Sequence, residues 1–496
     1  MNDEIADRSG PDADGPVDPG RIGNAAAGEL PPVRVEPDAR RRIRRALADT
    51  GRRIAVLDDD PTGSQTVHDV DVVTVFEPDE IAAGLSPPGA TCFILTNTRS
   101  LPEADAVELN TRIGRILFEL AARLDAPIDV VSRSDSTLRG HVIAEVRALD
   151  AVRREVTGRG FDGVLMVPAY FEAGRFTAGN VHWARVGADV LPASETEFAR
   201  DATFGYAASD LREFVAEKSG GMVGPGDVLS ITHDDIRLGG PHRVAEILAG
   251  VNGGAFVVVN AVKYADLDVV VLGLLDAEAA GKSFLHRSGP SFVQSLAGLD
   301  PRDPLRASDI WPAGHPGGHG LVVVGSHVGL TSRQVAVAQQ HGGLAEVELD
   351  VAAIADSARR DSHVAEVTRQ AVSALDNSDV LLFTSRTLLR GRDAAESLEI
   401  SRRVSTAVTG VVRVALATKP AWVIAKGGIT SHDVAVRGLG IRRAKVLGQL
   451  LPGLVSVFRP IDAAPEVIGT PYVVFAGNVG DESTLASVID LLRGRA

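Results

Sequence analysis

The sequence predicts an α/β protein of two domains, each a mostly parallel sheet flanked by helices. At 496 residues the chain exceeds the ~250–300 residues at which a single hydrophobic core stops growing. From about residue 52, short β-branched runs alternate with longer helical stretches, the pattern of parallel sheets covered on both faces. The alternation breaks over residues 298–319, where Pro, Gly and Asp collect without periodicity, and then restarts. The expected organisation is a tail (1–35), a first domain (36–297), a linker (298–319) and a second domain (320–496).

In chain order, the first thirty residues are acidic and rich in Gly, Pro and Ala, without the basic start and apolar centre of a secretory signal. They read as a disordered tail, and the protein as cytoplasmic. "DARRRIRRALADTGRR" follows as an amphipathic helix with solvated arginines. Strands are expected at "RIAVLD", "DVVTVF", "TCFILT", "IDVVSR", "GVLMVP", "DVLSIT" and "AFVVVN". Between them lies a helix at "EADAVELNTRIGRILFELAARL", where Val107, Ile113, Leu117 and Leu120 recur at helical spacing. Beyond the linker, "GLVVVGSH", "AEVELD", "VLLFTS", "AWVIAKGG", "VSVFRP" and "PYVVFAG" read as strands of the second unit.

Composition narrows the partners. A formal net charge of −14 sets up a field that repels polyanions, so no nucleic-acid partner is expected. No stretch approaches the ~18 uncharged apolar residues of a membrane helix. The single cysteine, Cys92, sits in an apolar run and reads as a small buried hydrophobe. A homodimer is left open.

In open α/β sheets, ligands bind at the carboxyl ends of the strands. The first domain places four polar clusters there: Asp58-Asp59-Asp60-Pro61-Thr62-Gly63, Thr96-Asn97-Thr98-Arg99-Ser100, Ser132-Arg133-Ser134-Asp135-Ser136-Thr137-Leu138-Arg139-Gly140-His141, and Pro168 to Arg175. Asp60 alone would serve as a helix cap, but a cap needs one acid rather than three. If the four turns share a crevice, Arg99, Arg133, Arg139 and Arg175 offer guanidinium forks to a carboxylate, while the aspartates accept from hydroxyls. That is the chemistry of a sugar-acid site, a structural ion-pair network being the alternative.

The second domain is rich in glycine at the same positions. Gly325-Ser326, Lys426-Gly427-Gly428-Ile429-Thr430-Ser431 and Ala476-Gly477-Asn478-Val479-Gly480 each leave a strand and open a helix, with Thr331 and Gln334 spaced as a capping box. Glycines let backbone approach a phosphate, and helix-opening N–H groups donate to it. Lys426 adds a candidate phosphate contact. No histidine pair has zinc-protease spacing, so His327 and the linker histidines read as turn residues.

Together these segments make the chain resemble the four-carbon acid sugar kinase family, whose amino-terminal domain binds the sugar acid and whose carboxy-terminal domain binds ATP. The family's "DDxTG" resembles Asp59 to Gly63, its "DSTxRG" Asp135 to Gly140, and its "PAxxxxGR" Pro168 to Arg175. In the second domain "GSxSxxTxxQ" resembles Gly325-Ser326 with Thr331 and Gln334, "GGETS" resembles Gly427 to Ser431, and "GNFG" resembles Gly477 to Gly480. The chain departs from the family at Ile429 (glutamate), Phe475 (lysine) and His141 (asparagine).

The resemblance implies a phosphotransferase with an alcohol acceptor, moving the ATP γ-phosphoryl to the terminal hydroxyl of a four-carbon sugar acid such as 3-oxo-tetronate, threonate or erythronate. Asp59 or Asp60 would orient or deprotonate that hydroxyl, and a neighbouring acid would meet Mg2+. Arg139 would act with them, and Asp58, Thr62, Arg99, Arg133, Asp135, Ser136 and Arg175 would line the substrate. Ser326, Lys426, Gly427, Gly428, Ile429, Thr430, Gly477 and Asn478 would hold ATP. A metal-dependent lyase or isomerase of sugar acids, and a non-catalytic sugar-acid sensor, are the alternatives.

Overall fold

The structure is a computed structural model and describes residues 30–60, 63, 64, 66–187, 189–386, 389, 392, 394–451 and 454–494. The first domain contains β1 (Arg53–Asp58), β2 (Val70–Val73), β3 (Thr91–Leu95), β4 (Ile128–Arg133) and β5 (Gly163–Val167). The hairpins β6 (Arg175–Ala178), β7 (Val181–Val186) and β8 (Asp189–Pro192) follow, then β9 (Leu229–Ile231), β10 (Ala255–Val259) and β11 (Phe284–Ser288). The second contains β12 (Leu321–Val324), β13 (Leu344–Leu349), β14 (Asp379–Thr384), β15 (Val423–Lys426), β16 (Arg443–Leu451), β17 (Val455–Asp462) and β18 (Tyr472–Phe475).

Strands β1, β3, β4 and β5 are buried along their whole length, which is why β3 and β5 read as nearly continuous apolar runs. The expected helix is present as Glu103–Leu124, with Ile113, Leu117 and Leu120 buried. Strands β6–β8, β11 and β16 were not expected. β6–β8 form a separate antiparallel sheet; β11, "FLHRS", escapes pattern reading because its polar residues are buried too; β16 alternates half-buried with buried positions.

The fifteen remaining strands make one sheet, ordered β13-β14-β12-β15-β18-β17-β16-β2-β3-β1-β4-β11-β5-β10-β9. The domains therefore share backbone hydrogen bonds: β16 pairs antiparallel with β2, Lys445 opposite Asp71, and their side chains form an ion pair there. Three successive antiparallel pairings, β2–β16, β16–β17 and β17–β18, reverse the direction of the second parallel block relative to the first. Right-handed twist of about 20–25° per pairing accumulates to about 120–150° over the six pairings between β1 and β15.

Residues 298–319 are not a free tether. Leu305 and Ile310 are buried, Leu305 N donates to Gln449 O at 2.7 Å, and a short helix spans Ala307–Ile310. Of the expected tail, residues 1–29 lie outside the described residues, while Pro31 O accepts from Arg237 Nη1 at 2.7 Å. The arginine-rich helix forms as Ala39–Asp49, but Arg40 is buried and donates to Asp268 at 3.3 Å, so that arginine is not solvated. Among the described residues, no helix is long and apolar enough to cross a membrane.

Candidate active site

β1 ends at Asp58, and among the described residues the next element is β2, with no helix between them. The helix-cap reading of Asp60 therefore falls. Ser64 O in this crossover accepts from Ser456 Oγ of β17 at 3.2 Å, so the segment leaving the acid run lies against the second domain. Pro61, Thr62 and Gln65, and with them the expected Thr62 contact, lie outside the described residues.

The three acids have three environments. Asp58 is fully buried and accepts from Arg133 Nη1 at 2.9 Å and from Asp60 N at 3.0 Å. Burial pushes it up to about 6 against the pull of Arg133, with Asp60 adding to the rise. Asp60 is ion-paired with Arg99, which also lies 3.5 Å from Asp135. Asp59 is 2% exposed, and neither carboxylate oxygen has a hydrogen-bond partner among the described residues. Burial pushes it up to about 7; Arg99 and Arg287 oppose this, and Glu145 reinforces it.

The third and fourth clusters close around these acids. Burial alone would raise Asp135, but Arg99 and Arg139 outweigh it and hold the carboxyl below its usual range. Arg139 donates to Asp135 and lies 5.3 Å from the Phe198 ring centroid. Ser136 is buried, and its carbonyl accepts from His182 Nε2 at 2.7 Å. Arg175 stands over Phe198 at 5.6 Å and Tyr170 at 6.0 Å. It has a buried, unpartnered Nε, and burial lowers its guanidinium from the ordinary value. A desolvated cation of this kind is suited to an incoming carboxylate.

Two residues that pattern reading missed join the site. Glu145, in the first turn of the helix Val142–Thr157, accepts from Thr98 Oγ1 at 2.6 Å and pairs with Arg287 of β11. The legible signal was an arginine between an apolar dipeptide and a Gly-Pro turn, "FLHRSGP", the strand-then-turn pattern of the other clusters.

In the second domain the three glycine turns converge. A Cβ on Gly477 would stand 2.5 Å from Ser326 Oγ, one on Gly427 would meet Ser326 Cβ at 3.1 Å and Thr430 Oγ1 at 3.2 Å, and one on Gly325 would collide with Thr430. Gly427 also has φ +117°, which other residues rarely adopt. Thr331 and Gln334 do not cap the helix Gly329–His341 but lie inside it. Thr331 Oγ1 donates to Gly477 O at 2.7 Å, and Gln334 Nε2 to Val479 O at 3.0 Å and Asp481 O at 2.6 Å, clamping one turn to the next.

Gly428 and Thr430 open the helix Gly428–Asp433, while the Ile429 side chain is 71% exposed and Asn478 is exposed. Lys426 departs from expectation. It is fully buried, its Nζ donates to Ala476 O at 3.0 Å and lies 3.6 Å from the Phe475 ring centroid, and burial lowers it to about 7. Its ammonium is thereby tied to the strand end that leads into the third glycine turn.

Depressions of about 540 Å³ beside Glu108 and Arg112 and about 440 Å³ beside Arg413 and Arg437 contain none of these residues. Among the described residues, no group of three or more His, Cys, Asp or Glu side chains is placed to hold a metal ion.

Comparison with known proteins agrees with this division of labour. The family model of a sugar-binding N-terminal domain matches residues 54–296, and that of a nucleotide-binding C-terminal domain matches residues 321–485. No curated protein matches the chain. Two solved structures share its fold. A Salmonella typhimurium LT2 protein is 18% identical over 88% of this chain and 98% of its own, with a TM-score of 0.66. A Haemophilus influenzae protein from a domain family of unknown function is 17% identical over 89% and 99%, with a TM-score of 0.59. The two domain matches, in the order that the motifs require and together spanning most of the sequence, establish that the chain belongs to the four-carbon acid sugar kinase family.

Proposed function

We propose that the protein is an ATP-dependent kinase that phosphorylates the terminal hydroxyl of a four-carbon sugar acid such as 3-oxo-tetronate, D-threonate or D-erythronate. The observation that carries this reading is Asp59: a buried carboxylate whose two oxygens have no hydrogen-bond partner among the described residues, raised to about 7 and ringed by arginines, in the sugar-binding domain. A general base is most effective with a pKa near the working pH.

In this reading Asp59 accepts the proton of the acceptor hydroxyl. Arg175 and Arg139 hold the substrate carboxylate, and Asp135 and Ser136 bind its remaining hydroxyls. Arg99 and Arg133 pair with Asp60 and Asp58 and fix the wall against which the acceptor is oriented. Positioning and charge stabilisation supply most of the rate in phosphoryl transfer. The backbone of Ser326, Gly427, Gly428, Ile429, Thr430, Gly477 and Asn478 cradles the triphosphate. The described side chains offer no dedicated metal cage, so Mg2+ would enter on the phosphate oxygens, its usual carrier, and no step here relies on a protein-held metal.

An ADP-release screen against the stereoisomeric four-carbon sugar acids and their 3-oxo forms tests the reading. Turnover with at least one is expected. Release with none, together with no thermal shift from ATP, would overturn it.

A further inference from the structure

Arg287 has one end of its guanidinium committed and the other open among the described residues. It is 2% exposed; Nη1 donates to Ser132 Oγ at 2.7 Å and to the Glu145 carboxylate, while Nε and Nη2 have no partner among the described residues. Glu145 is itself held, with Thr98 Oγ1 donating to Oε1 at 2.6 Å and Ser132 Oγ 3.4 Å from Oε2. One edge of the guanidinium is thus clamped.

The open edge faces Gly140. A Cβ on Gly140 would stand 3.2 Å from Arg287 Nη2 and 2.9 Å from Asp59 Oδ2, and φ there is +115°. Conformation and space both require glycine. Carboxylate and guanidinium approach the same bare α-carbon, and neither is hydrogen-bonded to the other. Buried charges without partners are strongly unfavourable, and a ligand group that satisfies both at once relieves them.

That group has restricted chemistry. A second carboxylate would be repelled by Asp59, and an ammonium by Arg287. A hydroxyl donates its proton to the carboxylate while its oxygen accepts from the guanidinium.

We propose that Arg287 is a specificity-determining residue of the acceptor site, its Nη2 donating to the terminal hydroxyl oxygen of the sugar acid over Gly140 while Asp59 accepts that hydroxyl's proton. Glu145 is the residue that positions the guanidinium. The proposal rests on the sugar-acid reading above and adds to it a residue on β11.

Calorimetric titration of the full chain with D-erythronate and D-threonate, and with the 2,3-dihydroxybutanoates that lack only the terminal hydroxyl, tests it. Arg287→Met is expected to weaken binding of the hydroxylated acids about 10- to 100-fold and of the deoxy acids by less than about twofold. Glu145→Gln, which keeps the guanidinium, is expected to show the same discrimination at smaller size, and it decides the matter if Arg287→Met does not fold. Equal weakening of both ligand sets, or weakening of neither, would overturn the role of Arg287 while leaving the sugar-acid reading intact. Binding of none of these acids by the wild-type protein, nor of their 3-oxo forms titrated alongside, would overturn both.

Discussion

Replacing Asp59 with asparagine separates catalysis from stability in opposite directions. The side chain keeps its shape but loses the negative charge that accepts a proton. A positioned general base contributes about 10²–10⁴-fold, so kcat should fall by that factor. In the wild type, the rise of Asp59 from 3.8 to about 7 predicts a kcat/KM that falls as the pH drops through about 7. Folding responds the other way. The folded carboxyl holds its proton more tightly than the unfolded one, so the wild type is most stable below about pH 4 with respect to this group and loses stability as pH rises to about 7. The shift corresponds to roughly 4 kcal/mol at full ionisation; shared with the neighbouring charges, on the order of 1–3 kcal/mol should return in Asp59→Asn at pH 8. Urea unfolding at pH 8 and pH 4, with ADP release measured alongside, reads both effects. A variant that kept wild-type kcat, or that was less stable than wild type at pH 8, would refute the assignment of Asp59 as a desolvated base.

Arg139→Lys replaces a fork by a point charge beside Asp135, and the KM for the sugar acid should rise about tenfold with the KM for ATP unchanged; an unchanged sugar-acid KM would remove Arg139 from the carboxylate site. Gly477→Ala places a Cβ 2.5 Å from Ser326 Oγ. ATP affinity by calorimetry should fall at least about tenfold with sugar-acid binding retained, and undiminished ATP binding would place the nucleotide elsewhere. Lys426 is lowered from 10.5 to about 7, so the unfolded chain holds this proton more tightly and the wild type weakens as pH falls between those values. Lys426→Met should flatten that slope in urea unfolding at pH 7 and pH 10 and leave the ATP thermal shift in place; a lost shift would show that the ammonium reaches the phosphates.

The local grammar of the chain determined a good deal. The short β-branched runs of β1, β3, β4 and β5 announced strands buried on both faces, and the acids and arginines at their carboxyl ends were legible as charged turns, because burial and turn chemistry are imposed on each short segment by itself. The glycines that leave β12, β15 and β18 were legible for the same reason. What tertiary structure alone decided is which segments are neighbours. β11 lies between β4 and β5 with Arg287 in register with Ser132, and that pairing of distant segments turns an unremarked "HRS" into the wall of the site. Antiparallel joining through β16 made one sheet of two, and the packing of the second domain's turns against one another made Thr331 and Gln334 clamps instead of caps and seated Lys426 against Phe475. Strand order and register arise from the packing of residues hundreds of positions apart, and no periodicity within a segment records them.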